Sequence, residues 1–207
     1  MAPPLLDVAD LACRRGGRPV FDRLSFAVGA GELLALTGRN GSGKTTLLRA
    51  LALLVRPLSG RILWRGAEVQ ADPDAWRGRL AWLGHLDGLK GDLSVRENLL
   101  GAERLRGRVA ASDRLERALV AYDLASLADR AVRTLSAGQR RRTALARVML
   151  TDAPLWLLDE PLNALDAPAQ QAFRTVLQQH LATGGLAIAA THADLGMARP
   201  RTLELAA

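Results

Sequence analysis

Apolar positions along the chain fall into two rhythms. Four short blocks, Leu33-Leu34-Ala35-Leu36, Leu80-Ala81-Trp82-Leu83, Leu155-Trp156-Leu157-Leu158 and Leu186 to Thr191, are apolar almost throughout and read as buried strands. Leu5 to Cys13 and Pro19 to Val28 read as two further strands joined by a Gly16-Gly17 turn. Arg61 to Trp64, between Gly60 and Gly66, is another short strand, and Thr202 to Leu205 an edge strand. Helical patterning starts at Thr46 and is expected to run to about Val55, before Pro57. Asp72-Pro73 fits the cap and first residue of a short helix through Arg77. Ser94-Val95-Arg96-Glu97 is a capping box. Ser112 can cap another helix, with Leu115, Leu119 and Leu124 at helical spacing, and Pro168 to about Leu181 forms the last helix. From His85 to Leu150 the strand signal disappears, so that third reads as a helical insertion. Strands alternating with helices predict an α/β fold around a parallel sheet.

One stretch interrupts this pattern with chemistry. Gly38-Arg39-Asn40-Gly41-Ser42-Gly43-Lys44-Thr45 matches the phosphate-loop spacing, and it stands between a predicted strand and a predicted helix. Its glycines allow the backbone to wrap a phosphate with N–H groups inward, and the helix start adds partial positive charge. Lys44 is expected to reach the β- and γ-phosphates of ATP. The Thr45 hydroxyl is expected to bind Mg²⁺, with Thr46 completing the helix start. Leu155 to Leu158 ends in Asp159-Glu160. A carboxylate at a buried strand end can hold Mg²⁺, and the neighbouring Glu160 can polarise an attacking water. Ser136 and Gln139 in Leu135-Ser136-Ala137-Gly138-Gln139 form a capping box, and this helix start could also face a phosphate.

Composition narrows the setting only slightly. At 207 residues and 49% apolar content the chain supports one folded domain spanning residues 1–207. Its apolar runs fall short of the ~18 residues of a membrane span. Met1 to Arg15 carries Asp7 and Asp10 without a basic start, so no leader is visible and a cytosolic protein is expected. Cys13 is the single cysteine and reads as a small buried hydrophobe. The net charge of +7 is carried almost wholly by arginine spread along the chain, with lysine only at Lys44 and Lys90. No aromatic residues interleave with a basic stripe, so no specific nucleic-acid partner is expected.

Taken together, the phosphate loop, Leu135 to Gln139, the strand ending in Asp159-Glu160, and His192 after Thr191 resemble the ATP-binding cassette (ABC) ATPases in order and over nearly the whole chain. The resemblance implies a P-loop NTPase (RecA-like) core, an N-terminal antiparallel β subdomain and a helical subdomain at about 86–150 carrying the signature. It implies a homodimer in which Ser136, Gly138 and Gln139 of one copy close over ATP held by the other. Asn163 to Asp166 resembles the dimer-contact loop, with Asp166 linking the sites, and His192 the γ-phosphate switch. Two departures stand out. His85 occupies the place of the usual metal-contacting glutamine, and the aromatic residue that stacks on adenine is missing near Cys13-Arg14, where Arg14 could stack instead. Residues 83–90, 93–99, 139–142 and 153–161 further resemble the ATPase subunits of cytochrome c maturation systems. That likeness implies integral membrane partners, attachment at the cytoplasmic face of the inner membrane, docking near Asp87 to Asp92, and coupling of ATP hydrolysis to haem export or haem-chaperone release. An ABC ATPase for another cargo, or a soluble ABC protein acting on ribosomes or DNA, is the alternative, although no second cassette or long inserted arm is present.

Overall fold

The computed structural model describes residues 5–107, 112–198 and 200–205. Two sheets organise it. An antiparallel sheet has the order β2-β1-β4-β5, built from β1 (Leu6–Arg15), β2 (Arg18–Val28), β4 (Ser59–Trp64) and β5 (Ala67–Glu68). A parallel sheet has the order β6-β7-β8-β3-β9, from β3 (Leu33–Thr37), β6 (Leu80–Leu83), β7 (Leu155–Asp159), β8 (Leu186–Ala190) and β9 (Arg201–Glu204). Helices α1 (Lys44–Leu51), α2 (Pro73–Arg77), α3 (Val95–Leu105), α4 (Ser112–Ala121), α5 (Ala137–Leu150) and α6 (Ala167–Ala182) fill the connections. Three of them, α3 to α5, come between β6 and β7 in the chain, where the strand signal is lost.

The parallel sheet divides two cores, and the apolar blocks show how. In a strand, successive side chains point to opposite faces. Leu34, Leu36, Leu155, Leu157, Leu186 and Ile188 therefore pack with α1 and the antiparallel sheet. Leu33, Trp156, Leu158, Ala187 and Ala189 pack against the helical side, with Leu99, Leu119, Leu145 and Phe173. Blocks apolar at every position are what a sheet covered on both faces requires.

Several boundaries differ from the sequence expectation. Helix α1 stops at Leu51, not near Val55. Leu53 adopts φ 54°, and its N–H and that of Leu54 donate to the Ala50 and Arg49 carbonyls at 3.0 and 2.8 Å, a Schellman closure made without glycine. Strand β5 was not expected. Arg65 and Gly66, at φ 52° and 82°, make the two-residue turn that pairs Trp64 with Ala67. Leu124 is buried but lies beyond the end of α4 at Ala121. Residues 108–111, and residues 1–4 of the Met1 to Arg15 stretch in which no leader is expected, lie outside the described residues. Among the described residues, no helix is long and apolar enough to cross a membrane.

Candidate nucleotide site

The phosphate loop leaves β3 and enters α1, and its glycines are held in backbone conformations that side chains rarely adopt. Gly38 has φ 128°, and a Cβ there would lie 2.5 Å from the Leu205 carbonyl oxygen. Gly43 has φ 101°, and a Cβ would collide with Val20. The Lys44 ammonium donates to the Gly38 and Arg39 carbonyls at 2.6 and 3.0 Å, arching over the loop. The N–H groups of Lys44, Thr45 and Thr46 belong to the first turn of α1, which has no intrahelical acceptors for them.

The loop opens on a cleft of about 750 Å³, within the range of small-molecule sites. Asn40, Gly41, Gly43, Lys44, Thr45 and Thr46 border it from the loop, Asp159 and Glu160 from the end of β7, His85 from the end of β6, and His192 from the end of β8. Parallel strands deliver these residues to one edge because their C-terminal ends lie together. Thr45 Oγ1 donates to Asp159 Oδ2 at 3.0 Å, so a hydroxyl and a carboxylate share one point of the cleft. These hard oxygen donors suit Mg²⁺, which takes one or two protein oxygens and completes its shell with phosphate and water.

Glu160 adopts φ 47°, in the left-handed region. Its N–H donates to the Ala190 carbonyl at 2.8 Å, and its carboxylate Oε1 stands 3.9 Å from His192 Nε2. His192 is more than half exposed, and its loop is shaped by the Ala193 N–H donating to Thr191 Oγ1 at 3.0 Å.

Other expected site residues stand elsewhere. Gly38, Arg39 and Ser42 shape the loop without bordering the cleft, and Ser42 is 2% exposed. Ser136 and Gln139 make the reciprocal capping box at the start of α5. The Gln139 N–H donates to Ser136 Oγ at 3.2 Å, and the Ser136 N–H to Gln139 Oε1 at 2.9 Å. Neither they nor Gly138 border this chain's cleft, and Ser136 is exposed. The Asp166 carboxylate accepts from the Ala169 N–H at 3.0 Å and caps α6. Arg15 and Val20, not Arg14, reach the cleft from the β1–β2 hairpin. Cys13 pairs with Phe21 and Arg14 with Pro19, so Val20 is the extra, bulged residue of β2 at this end of the hairpin. Asn163 borders the cleft as well.

The comparisons agree with this geometry. The ABC transporter family matches residues 21–163. The "Cytochrome c biogenesis ATP-binding export protein CcmA" of Rhodospirillum rubrum is 46% identical over 99% of this chain and 87% of its own length. The protein of the same name from Nitrosococcus oceani is 44% identical over 100% of this chain and 94% of its own. A solved ATP-binding subunit of an ABC transporter superposes with a TM-score of 0.82 at 26% identity, covering 91% of this chain and 80% of that one. On this family match, and on relatives alike from end to end, the chain belongs to the ABC transporter family, as one of its ATP-binding, ATP-hydrolysing proteins.

Proposed function

We propose that this protein is the ATP-hydrolysing subunit of a membrane export complex serving c-type cytochrome assembly. The observation that carries this is the end-to-end likeness to relatives named as cytochrome c biogenesis ATP-binding export proteins. Two copies sandwich MgATP. In each cleft the first-turn N–H groups of α1 and Lys44 take the phosphates, the ammonium exchanging two carbonyl partners for phosphate oxygens. Thr45 and Asp159 hold Mg²⁺, with His85 at the same cleft. When bound, the ion offsets charge on the phosphates. Glu160 accepts a proton from the attacking water, and His192 hydrogen-bonds the γ-phosphate. The partner copy supplies Ser136, Gly138 and Gln139 from the start of its α5, and Asp166 lies in the loop between the sites. Arg15 covers the base end, its flat guanidinium taking the place of an aromatic ring.

The membrane subunit docks beside residues 87–92. That stretch is fixed by the protein, since Asn98 accepts from the Lys90 N–H at 2.8 Å and donates to the Lys90 and Ser94 carbonyls at 3.0 and 2.9 Å. Apolar Leu54, Leu86 and Leu105 lie 59%, 82% and 87% exposed, and the first and last flank grooves of about 330 and 360 Å³. An exposed apolar rim of this kind suits a partner helix. The protein then sits peripherally at the cytoplasmic face of the inner membrane, and its ATP turnover is coupled to haem export or haem-chaperone release.

Two measurements test this. Lys44→Ala should lose most ATP affinity and turnover, and undiminished values reject the loop assignment. A strain lacking the gene should lose haem-stained c-type cytochromes and regain them with the wild-type chain but not with Lys44→Ala. Normal haem attachment in the deletion strain rejects the pathway.

A further inference from the structure

Arg141 stands one turn into α5 and is 4% exposed. Its guanidinium ties three parts of the molecule together. Nη2 donates to the Asp159 and Glu160 carbonyls at 2.8 and 2.6 Å. Nη1 donates to the Gly84 carbonyl and to Asp87 Oδ1, both at 3.0 Å. Gly84 and Asp87 bracket His85, and Asp159-Glu160 is the turn that presents the metal carboxylate and the base. Arg147, further along the same helix, donates to the Asp87 and Gly88 carbonyls at 2.7 and 2.6 Å and anchors the far side of that loop.

The details argue against a brace kept for stability alone. Among the described residues Arg141 Nε is buried without a partner, and well-packed apolar residues often serve stability as well as a buried charge does. The bonds converge instead on a turn whose Glu160 holds the uncommon φ of 47°, a conformation that persists only where surroundings over-determine it. Besides the Glu160 N–H bond to Ala190 and the Asn163 N–H bond to the Glu160 carbonyl at 3.2 Å, that turn is held by Arg141 Nη2, which donates to both its carbonyls.

We propose that Arg141 is a positioning residue for hydrolysis, holding the Glu160 carboxylate on the attacking water and locking that turn to the His85 loop. It touches no substrate and acts through the Asp159-Glu160 backbone. Because its other contacts are Gly84 and Asp87, movement of the loop beside the proposed membrane-subunit dock is transmitted to the base through the same guanidinium. This rests on Glu160 as the base, as proposed above.

The test compares the wild-type chain, Lys44→Ala, Arg141→Gln and Arg141→Lys by steady-state ATP hydrolysis, normalised to folded protein by circular dichroism and thermal melting. A displaced base costs about a hundredfold in rate, so Arg141→Gln should lower kcat by that order while the KM for ATP stays within about twofold. Arg141→Lys should recover part of the loss. In a Glu160→Gln background, ATP-driven dimer formation should survive Arg141→Gln, because only the chemical step is affected. A kcat per folded molecule within about threefold of wild type, a KM that rises in step with the loss of kcat, or failure of both variants to fold would each overturn the proposal. A wild-type chain without ATPase activity sensitive to Lys44→Ala would instead overturn the functional reading.

Discussion

Gly43→Ala against Gly41→Ala separates the two reasons a phosphate loop needs glycine. Both residues hold positive φ, 101° and 87°, so alanine is strained at either. That strain is worth about 1–3 kcal/mol per residue. The surroundings differ. Among the described residues a Cβ at Gly41 meets nothing within 4 Å, whereas one at Gly43 overlaps Val20 and approaches the Phe21 ring to 3.4 Å. Val20 is β-branched, with few rotamers to turn into, and lies within β2, so it yields poorly, and overpacking of this kind adds about 1–3 kcal/mol. Taking central values, Gly41→Ala should cost about 2 kcal/mol and Gly43→Ala about 4.

Where that cost appears is measurable. Borne by the nucleotide site, it lowers ATP affinity by roughly thirtyfold at Gly41 and roughly a thousandfold at Gly43. Borne by the fold, the larger value lowers Tm by about 8–16 °C for a chain of this size. Fluorescent-nucleotide titration and thermal melts on the same samples distinguish the two. The double-mutant cycle with Val20→Ala isolates the overlap, because trimming Val20 removes the collision and leaves the strain. Gly43→Ala should therefore lose about half of its penalty in that background, whereas Gly41→Ala should be unmoved. Equal penalties at the two glycines, or no relief from Val20→Ala, would refute the steric account of this loop.

Glu160→Gln should retain ATP affinity, slow turnover by about 10²–10⁴-fold, and hold an ATP-bound dimer in gel filtration; unchanged turnover removes Glu160 as the base. His180 stacks on Trp156 at 4.0 Å between ring centroids, and burial holds its pKa below the ordinary value. The unfolded state then binds the proton more readily, so this contribution is full above about pH 6.5 and is lost as pH falls from there toward the lower folded pKa. Melting temperature should drop over that interval, and His180→Phe should reduce the slope; identical slopes would refute the assignment. Leu105→Glu places a charge on the exposed apolar rim, and should abolish co-purification with membrane subunits while leaving detergent-free ATPase activity within about twofold.

What was legible in the sequence was local. Eight contiguous residues specify the phosphate loop because glycine spacing and helix entry are neighbours in the chain. Asp159-Glu160 was legible because an apolar strand must place its terminal carboxylate at the sheet edge. The capping boxes at Ser94 and Ser136 were readable for the same reason. Features set by unusual backbone angles on ordinary residues were not. Leu53 closes α1 in a conformation that usually calls for glycine, and it is Arg15, not Arg14, that borders the cleft from a hairpin in which Val20 is bulged. Arg141 reads as one of three consecutive arginines, and only folding brings Gly84, 57 residues away, to its guanidinium.

The arrangement of the loop bears on how the protein recognises nucleotide. Lys44 already bonds the Gly38 and Arg39 carbonyls, Thr45 already meets Asp159, and Gly38 is packed against the Leu205 carbonyl of the segment that follows β9. The loop is thus ordered by bonds within the chain, and phosphate replaces partners without having to fold a flexible segment. Such preorganisation removes an ordering cost from binding. Glu160 is different, because its carboxylate lies 3.9 Å from His192, its backbone is uncommon, and its carbonyl accepts from an arginine of another element. On the proposed roles, phosphate binding is built into contiguous sequence, while hydrolysis depends on contacts between separated segments. A displacement of α5 against the strands can then stop turnover while leaving ATP bound, and that is the property an ATPase needs if a membrane partner is to control it.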